Sequence, residues 1–521
     1  MAILDNLVVN VALPTIQRDL DASTSQLQWI VSAYTLVFAS LQITAGGLGD
    51  RFGRKKWFMI GIVIFTATSF TAAFVNSIEA LIIMRALQGV GAALIMPLSL
   101  SLISAAFPPE ERGKALGIWS AISVSGVALG PVIGGAIVEY FTWHWIFLIN
   151  VPIGILALLV TQSVVRESRD TSGEVATDIP GTVLITGAIA SLTWALIQAG
   201  ERGWTDSKIL LAFTASAILT IAFIVVEAKT ERPMVPLRFF KSRTFTGANL
   251  DSFMISFLIT GVAFFMTLYQ QNINGYSPIK TGLAMLPMVI AMMILSPISG
   301  SMTAKMGPRR LISFGMVVTG IGMLMLLILD VGTSYYRVLP GFILMGLGMS
   351  FIWAPMTTAV LNSVEPEKSG IASAVNGAIR EIGTAFGIAL LGTIANRAYI
   401  STYRDDASIQ AIKADSSLSA IHPIVEKVGE GVSYAGYAAS ALVPADLAST
   451  FADTWTTVRL ASSEAFMVGM DRALIVGGVG IIISAVISYV LISDAVVLRP
   501  APSVEPEFDT VGIVPEAAGA D

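Results

Sequence analysis

Four ionisable positions stand inside apolar stretches, where a charge is costly and is kept for a task. Asp5 interrupts the first apolar run, Arg85 lies inside the fourth, Asp251 sits about six residues into the ninth, and Glu381 follows Arg380 near the middle of the thirteenth. Apolar surroundings raise a carboxyl pKa and a neighbouring cation lowers it. A carboxyl held between those two pulls loads and releases a proton near neutral pH. Asp5, Glu381 and Asp251, in that order, are therefore the candidate proton carriers, with merely lining the cytoplasmic vestibule as the alternative for Asp251. A static ion pair is the competing reading for each. Arg85 costs roughly 3 kcal/mol to insert on translocation scales, so it is expected to face a cavity and pair with an acid or with carbonyls. A purely structural hydrogen-bonding role fits it too.

The elements that carry these residues follow from composition. The chain has 521 residues, 54 % hydrophobic and 13 % charged; a soluble surface takes about 25 % charged residues. The apolar excess belongs in a bilayer, whose core of about 30 Å takes some 20 residues of helix. Fourteen such runs are expected, near 1–17, 27–49, 57–75, 78–105, 113–138, 144–164, 180–199, 208–227, 246–269, 280–304, 309–329, 336–361, 370–393 and 471–492. They are apolar on every face, which excludes a β-barrel. Seventeen lysines and arginines fall in one set of short connecting loops and five in the other. The first set is read as cytoplasmic, and both termini with it. The first run is only roughly 16 residues long against the 20 needed, and a start further upstream is expected. Residues 394–470 form a long, polar outer loop with stretches able to be helical. Residues 500–521 hold five acids and no base and are expected to be disordered.

The chain repeats itself. Gly46-Gly-Leu-Gly-Asp-Arg-Phe-Gly-Arg-Lys-Lys56 returns weakly as Gly300-Ser-Met-Thr-Ala-Lys-Met-Gly-Pro-Arg-Arg310, and the segment from Gly89 to Gly113 returns from Gly346 to Gly370. The repeat superposes runs 1–6 on runs 9–14 and leaves 7 and 8 as an inserted pair. The domains are then 1–164, a linker with the inserted pair at 165–245, a second half at 246–492, and a tail at 493–521. Parallel halves of this kind place a solute site between them at mid-depth.

In the first copy, Gly46 and Gly53 allow a tight turn and close helix approach. Asp50 with Arg51, Arg54 and Lys55 could form charge pairs that close the cytoplasmic side and break on opening. The positive-inside rule alone accounts for the bases but not for Asp50. Gly117, Gly126, Gly130, Gly134 and Gly135 form a ladder of small residues suited to helix packing, and Pro131 removes a backbone donor.

These segments carry a resemblance. The 46–56 loop resembles the signature between helices 2 and 3 of the major facilitator superfamily. Leu81-x3-Arg85-x2-Gln88-Gly89-x-Gly91 resembles its helix 4 motif, and the Gly117–Gly135 ladder its antiporter-associated helix 5 motif. Leu4-Asp5-x2-Val8-Val9-Asn10-Val11-Ala12-Leu13-Pro14 is similar to the helix 1 motif of the fourteen-helix drug:proton antiporters, departing from it at Leu7, where threonine is usual. The resemblance spans the membrane domain. It implies an all-α major facilitator fold and a proton-coupled exporter of drug-like molecules across the plasma membrane, with Arg85 tuning a nearby carboxylate. Export of an endogenous metabolite such as a siderophore, antibiotic or lipid is the main rival, and uptake by symport a weaker one.

Other classes fit poorly. There is no Gly-x4-Gly-Lys-Ser/Thr loop for ATP and no clustered constellation for an enzyme. Cysteine is absent and only His144 and His422 occur, so neither a cofactor nor a metal is expected. No continuous basic face suggests nucleic acid. The expected partners are a small-molecule substrate, protons and membrane lipid, with the chain acting as a monomer. Trp29, Tyr34, Trp119, Tyr269 and Trp353 could line a permissive pocket, although aromatics at membrane interfaces are common.

Overall fold

The computed structural model describes residues 1–494 except Asp21, Ser23, 170–177, Arg232 and Ala441; the acidic segment 500–521 lies outside the described residues. Among the described residues there are helices and no strands. In chain order the long helices are α1 (Ala2–Asp19), α2 (Thr24–Phe52), α3 (Arg54–Ala72), α4 (Ile78–Ala106), α5 (Pro109–Tyr140), α6 (Trp145–Val164), α7 (Ile179–Arg202), α8 (Ser207–Lys229), α9 (Arg243–Ile273), α10 (Pro278–Met306), α11 (Pro308–Ile328), α12 (Tyr335–Asn362), α13 (Ser369–Asp405) and α14 (Ala452–Leu491). Each expected apolar run falls on one of them. Eleven are long and apolar enough to cross a bilayer. The others are α1, α3, which opens on Arg54, Lys55 and Lys56, and α5, whose first turns are charged.

The starts are written locally. Ser77, Asp178, Asp206 and Ser277 cap α4, α7, α8 and α10 through their side chains, satisfying amide donors that the first turn leaves free. Prolines stand in the first turn of α5, α7, α10 and α11, where no donor is lost. Outward faces are apolar: Leu156 and Leu159 of α6 and Leu211, Ile218 and Ile221 of α8 are all more than 60 % exposed. A contiguous apolar exterior of this kind needs lipid.

The two sequence copies meet each other by exchange. A Cβ on Gly46 would strike the Gly370 carbonyl oxygen at 2.5 Å, and one on Gly300 would strike that of Gly113 at 2.0 Å. Gly46 corresponds to Gly300 in the repeat, and Gly370 to Gly113. The α2–α13 and α5–α10 crossings are thus the same contact with partners swapped. A second pair of equivalent contacts stays within each copy: Gly53 (φ +112°) approaches the Glu167 carboxylate, and Gly307 (φ +80°) that of Asp494. Both positions are 254 residues apart in sequence and both need the left-handed freedom of glycine.

The segment expected as a polar outer loop is instead folded. α13 has 37 residues and α14 has 40, about 55 and 60 Å at 1.5 Å per residue, far longer than the bilayer core. Between them, short helices including Ala407–Ala414 and His422–Val428 close over a core of Tyr399, Tyr403, Ile409, Val425, Val428 and Val458. The hydroxyls of Tyr399 and Tyr403 donate to the Val428 and Val425 carbonyls at 2.8 and 3.2 Å. This cap seats on the end of α9, where Asn272 Nδ2 donates to the Ser433 carbonyl at 3.2 Å. Alanine and serine spacing hid the core, because its large members are scattered among short helices.

Candidate functional site

Arg85 and Asp5 form a buried ion pair, 0 % and 1 % exposed. Five helices build its surroundings. From α4, Arg85 also donates to Gln88 Oε1 at 2.9 Å, and from Nε to the Ile30 carbonyl of α2 at 3.2 Å. Asn150 of α6 donates to Asp5 Oδ1 at 2.7 Å and to Ser69 Oγ of α3 at 3.1 Å. Gln88 Nε2 reaches the same Ser69 oxygen at 3.0 Å, and the Ser69 hydroxyl donates a hydrogen bond to the Phe147 carbonyl at 2.9 Å. The Tyr34 ring lies under the guanidinium, 4.4 Å from its carbon. The carboxylate therefore has a cation, an amide and a defined place, and removing either charge leaves the other stranded, at about 3–5 kcal/mol.

The glycine ladder positions this carboxylate. On one face of α5, Gly130 and Gly134 lie against Leu7 and Val8 of α1, the Cβ-to-neighbour distances being 2.7 and 3.2 Å, and Gly126 approaches Leu4 at 3.5 Å. On the other face Gly117 and Gly135 meet Ser296 and Ile279 of α10. Small residues thus let α1 lie close enough for Asp5 to reach α4 and α6. The side chain of Pro131 lies outside the described residues.

Glu381 is half-buried on α13, beside Arg380, whose guanidinium lies 5.7 Å from the Trp353 ring. The second copy thus brings its own acid and arginine, Glu381 and Arg380, side by side in sequence. Asp251 does not join them. It is 0 % exposed on α9, and neither carboxylate oxygen has a hydrogen-bond partner; it lines no vestibule, contrary to the expectation. Its neighbour Ser252 instead joins Asn249 and Asn376, whose Nδ2 donates to both at 2.6 and 3.1 Å.

At the end where the basic loops gather, Asp50 holds α13. Its carboxylate accepts from the amides of Gly370 and Ile371 at 3.0 and 2.8 Å and from Arg54 Nε at 2.8 Å. A carboxylate there satisfies orphan donors and meets the positive end of the helix dipole. Arg54 Nη2 also donates to the Glu367 carbonyl at 2.6 Å, and Ser101 and Ser369 touch oxygen to oxygen at 3.1 Å. Lys55 sends Nζ to the Gln162 carbonyl at 2.9 Å, and Arg51 lies 4.8 Å from the Phe52 ring centre. The second copy has Ala304 where the first has Asp50, so the acid of this clasp has no counterpart at that position.

The sequence reading overlooked Asn150, Ser69 and Glu167. The last caps α3, accepting from the Lys55 and Lys56 amides at 3.0 and 3.1 Å. Asn150 was legible as an amide amid the apolar residues of a helix; Glu167, in a short charged loop, carried no signal. Of the aromatics, Tyr34 and Trp353 stand against the two arginines, while Tyr269 is buried and donates to the Asp330 carbonyl at 3.1 Å.

A bundle of apolar helices that exchanges equivalent contacts between two copies, with a buried ion pair between helices, defines a multi-pass membrane transporter. The Major Facilitator Superfamily model matches residues 1–388, and the chain belongs to that superfamily. It is 34 % identical over 395 residues to the tetracenomycin C resistance and export protein of Streptomyces glaucescens, covering 76 % of this chain and 73 % of that one. It is 35 % identical to the multidrug resistance protein Stp of Mycobacterium tuberculosis over 395 residues, with the same coverages. Its identity to the methylenomycin A resistance protein of Streptomyces coelicolor is 35 %, over 76 % of this chain and 83 % of that one. A double-tryptophan mutant of the transporter XylE superposes with a TM-score of 0.58 at 15 % identity over 94 % of each chain, a likeness of fold.

Proposed function

We propose that the protein is a proton-coupled antiporter that exports drug-like molecules across the plasma membrane. The observation that carries this is the Asp5–Arg85 pair, sealed among five helices. When ionised, Asp5 binds Arg85 and ties α1 to α4 and α6. A proton from outside neutralises it, frees the guanidinium and loosens α1 along the glycine ladder; solute and proton then alternate at one place. Glu381 is the second proton-carrying group. Asp50 and Arg54 clasp α13 on the cytoplasmic side and release it when the site opens inward.

The relatives' names support drugs and antibiotics as the solute class. Fourteen crossings with both termini cytoplasmic fit the seventeen-to-five basic bias. On this reading residues 1–164 and 246–492 are the two halves, 165–245 holds the inserted pair and 493–521 is a tail. An efflux-deficient host expressing the chain should tolerate at least one of puromycin, methylenomycin A and tetracenomycin C better than the same host expressing Asp5→Asn. The advantage should vanish with an uncoupler. Equal tolerance with both chains would overturn the proposal.

A further inference from the structure

Asp251 is a buried acid that the proposed transport path leaves unused. It sits about 12 Å from the start of α9 and its seam with α14 is tight: a Cβ on Gly247 would meet Leu491 at 2.7 Å, and one on Gly480 would meet Leu258 at 3.0 Å. Ser488 of α14 is the polar group beside it and falls short of hydrogen-bond geometry. The other neighbouring helices present Asn376 from α13 and Met356 from α12, both engaged with Ser252. The ionisable residues along the packed elements are Arg380 and Glu381 of α13, with Lys368, Arg238, Lys241 and Arg243 toward the basic end. Arg309 and Arg310 of α11 are tied elsewhere, Arg309 over the Tyr489 ring at 3.8 Å and Arg310 to Asp494 at 3.6 Å.

An ionised carboxylate sealed without cation or donor is so costly that the group takes a proton instead. We infer that Asp251 is a proton-binding site on the cytoplasmic side, distinct from the Asp5–Arg85 pair, whose neutral form seats the last turn of α14 on α9 and whose ionisation unseats it. On unseating, the O–H bond of the carboxyl breaks and its proton passes to cytoplasmic-side water. The seated turn binds one proton more than the unseated turn, so rising pH favours unseating. Tyr489 and Asp494 sit on and beyond that turn and hold the start of α11, so the change reaches the basic loop at 307–310.

The test needs no substrate and so stands apart from the transport proposal. Purified full-length protein in liposomes is titrated by infrared spectroscopy, alongside hydrogen exchange of residues 484–492. At neutral pH the wild type should show a carboxylic-acid C=O band that Asp251→Asn lacks and Asp5→Asn keeps. Corrected for the base-catalysed rise of intrinsic amide exchange, exchange in 484–492 should quicken at least tenfold as the pH is raised through the loss of that band, and Asp251→Asn should show no step there. A band unchanged by Asp251→Asn, or an exchange step that persists in it, would overturn the inference. If Asp251→Asn does not fold, Asp251→Leu, which needs no polar partner in the apolar seam, serves: it should lack both the band and the exchange step, and persistence of either overturns the inference as well.

Discussion

Arg85 is fixed by Asp5, Gln88 and the Ile30 carbonyl together, so substitutions around it separate charge from geometry. Arg85→Ala strands Asp5, and should lower stability by about 3–5 kcal/mol and abolish transport. Arg85→Lys keeps the charge without the planar fork and should keep part of both; thermal melting and solute flux read the two effects. Asp5→Asn keeps the size and much of the hydrogen bonding yet cannot cycle a proton. The charged residues were legible because apolar runs make any charge conspicuous. Their pairing was not legible: nothing in the spacing says that Asp5 reaches Arg85 rather than Arg380. Nor could spacing show that Asp251 turns toward α14 and away from the vestibule. Those outcomes depend on helix rotation, which packing sets.

Among the elements, the α2–α13 crossing is clasped by an acid whose place in the second copy is taken by Ala304. Asp50→Ala removes two amide partners and the Arg54 pair, and should weaken the clasp by about 1–2 kcal/mol. Opening on the cytoplasmic side then becomes more frequent. The absence of native cysteine makes this directly readable: a single Ser373→Cys, whose native hydroxyl donates to the Pro97 carbonyl at 2.8 Å, should react faster with a thiol reagent in the Asp50→Ala background. Joining Ser101→Cys to Ser369→Cys by oxidation should stop transport, and reduction should restore it. Transport at full rate with the disulfide formed would show that these helices need not part. The glycine positions that permit the crossings could be read from the repeat. Which glycine met which could not, because the repeat relates positions within copies and the contact exchanges them.

At the scale of the whole molecule, the helices were readable from run length and hydropathy, whereas the cap was not, since α13 and α14 continue beyond the bilayer as ordinary helix. Reporter fusions after Glu110 and Gln410 should read cytoplasmic and external, and a cytoplasmic reading at Gln410 would remove the fourteen-span topology. The central claim is that a proton gradient alone drives solute movement through Asp5. It is tested most directly by reconstituting the protein in liposomes without ATP, imposing a pH gradient and following both the solute found in the susceptibility panel and proton flux. The wild type should move solute against its gradient with protons flowing the other way, stop when an ionophore collapses the gradient, and be silent as Asp5→Asn with an unchanged melting profile. Full gradient-driven exchange by Asp5→Asn would contradict the claim and make Glu381 the leading proton carrier.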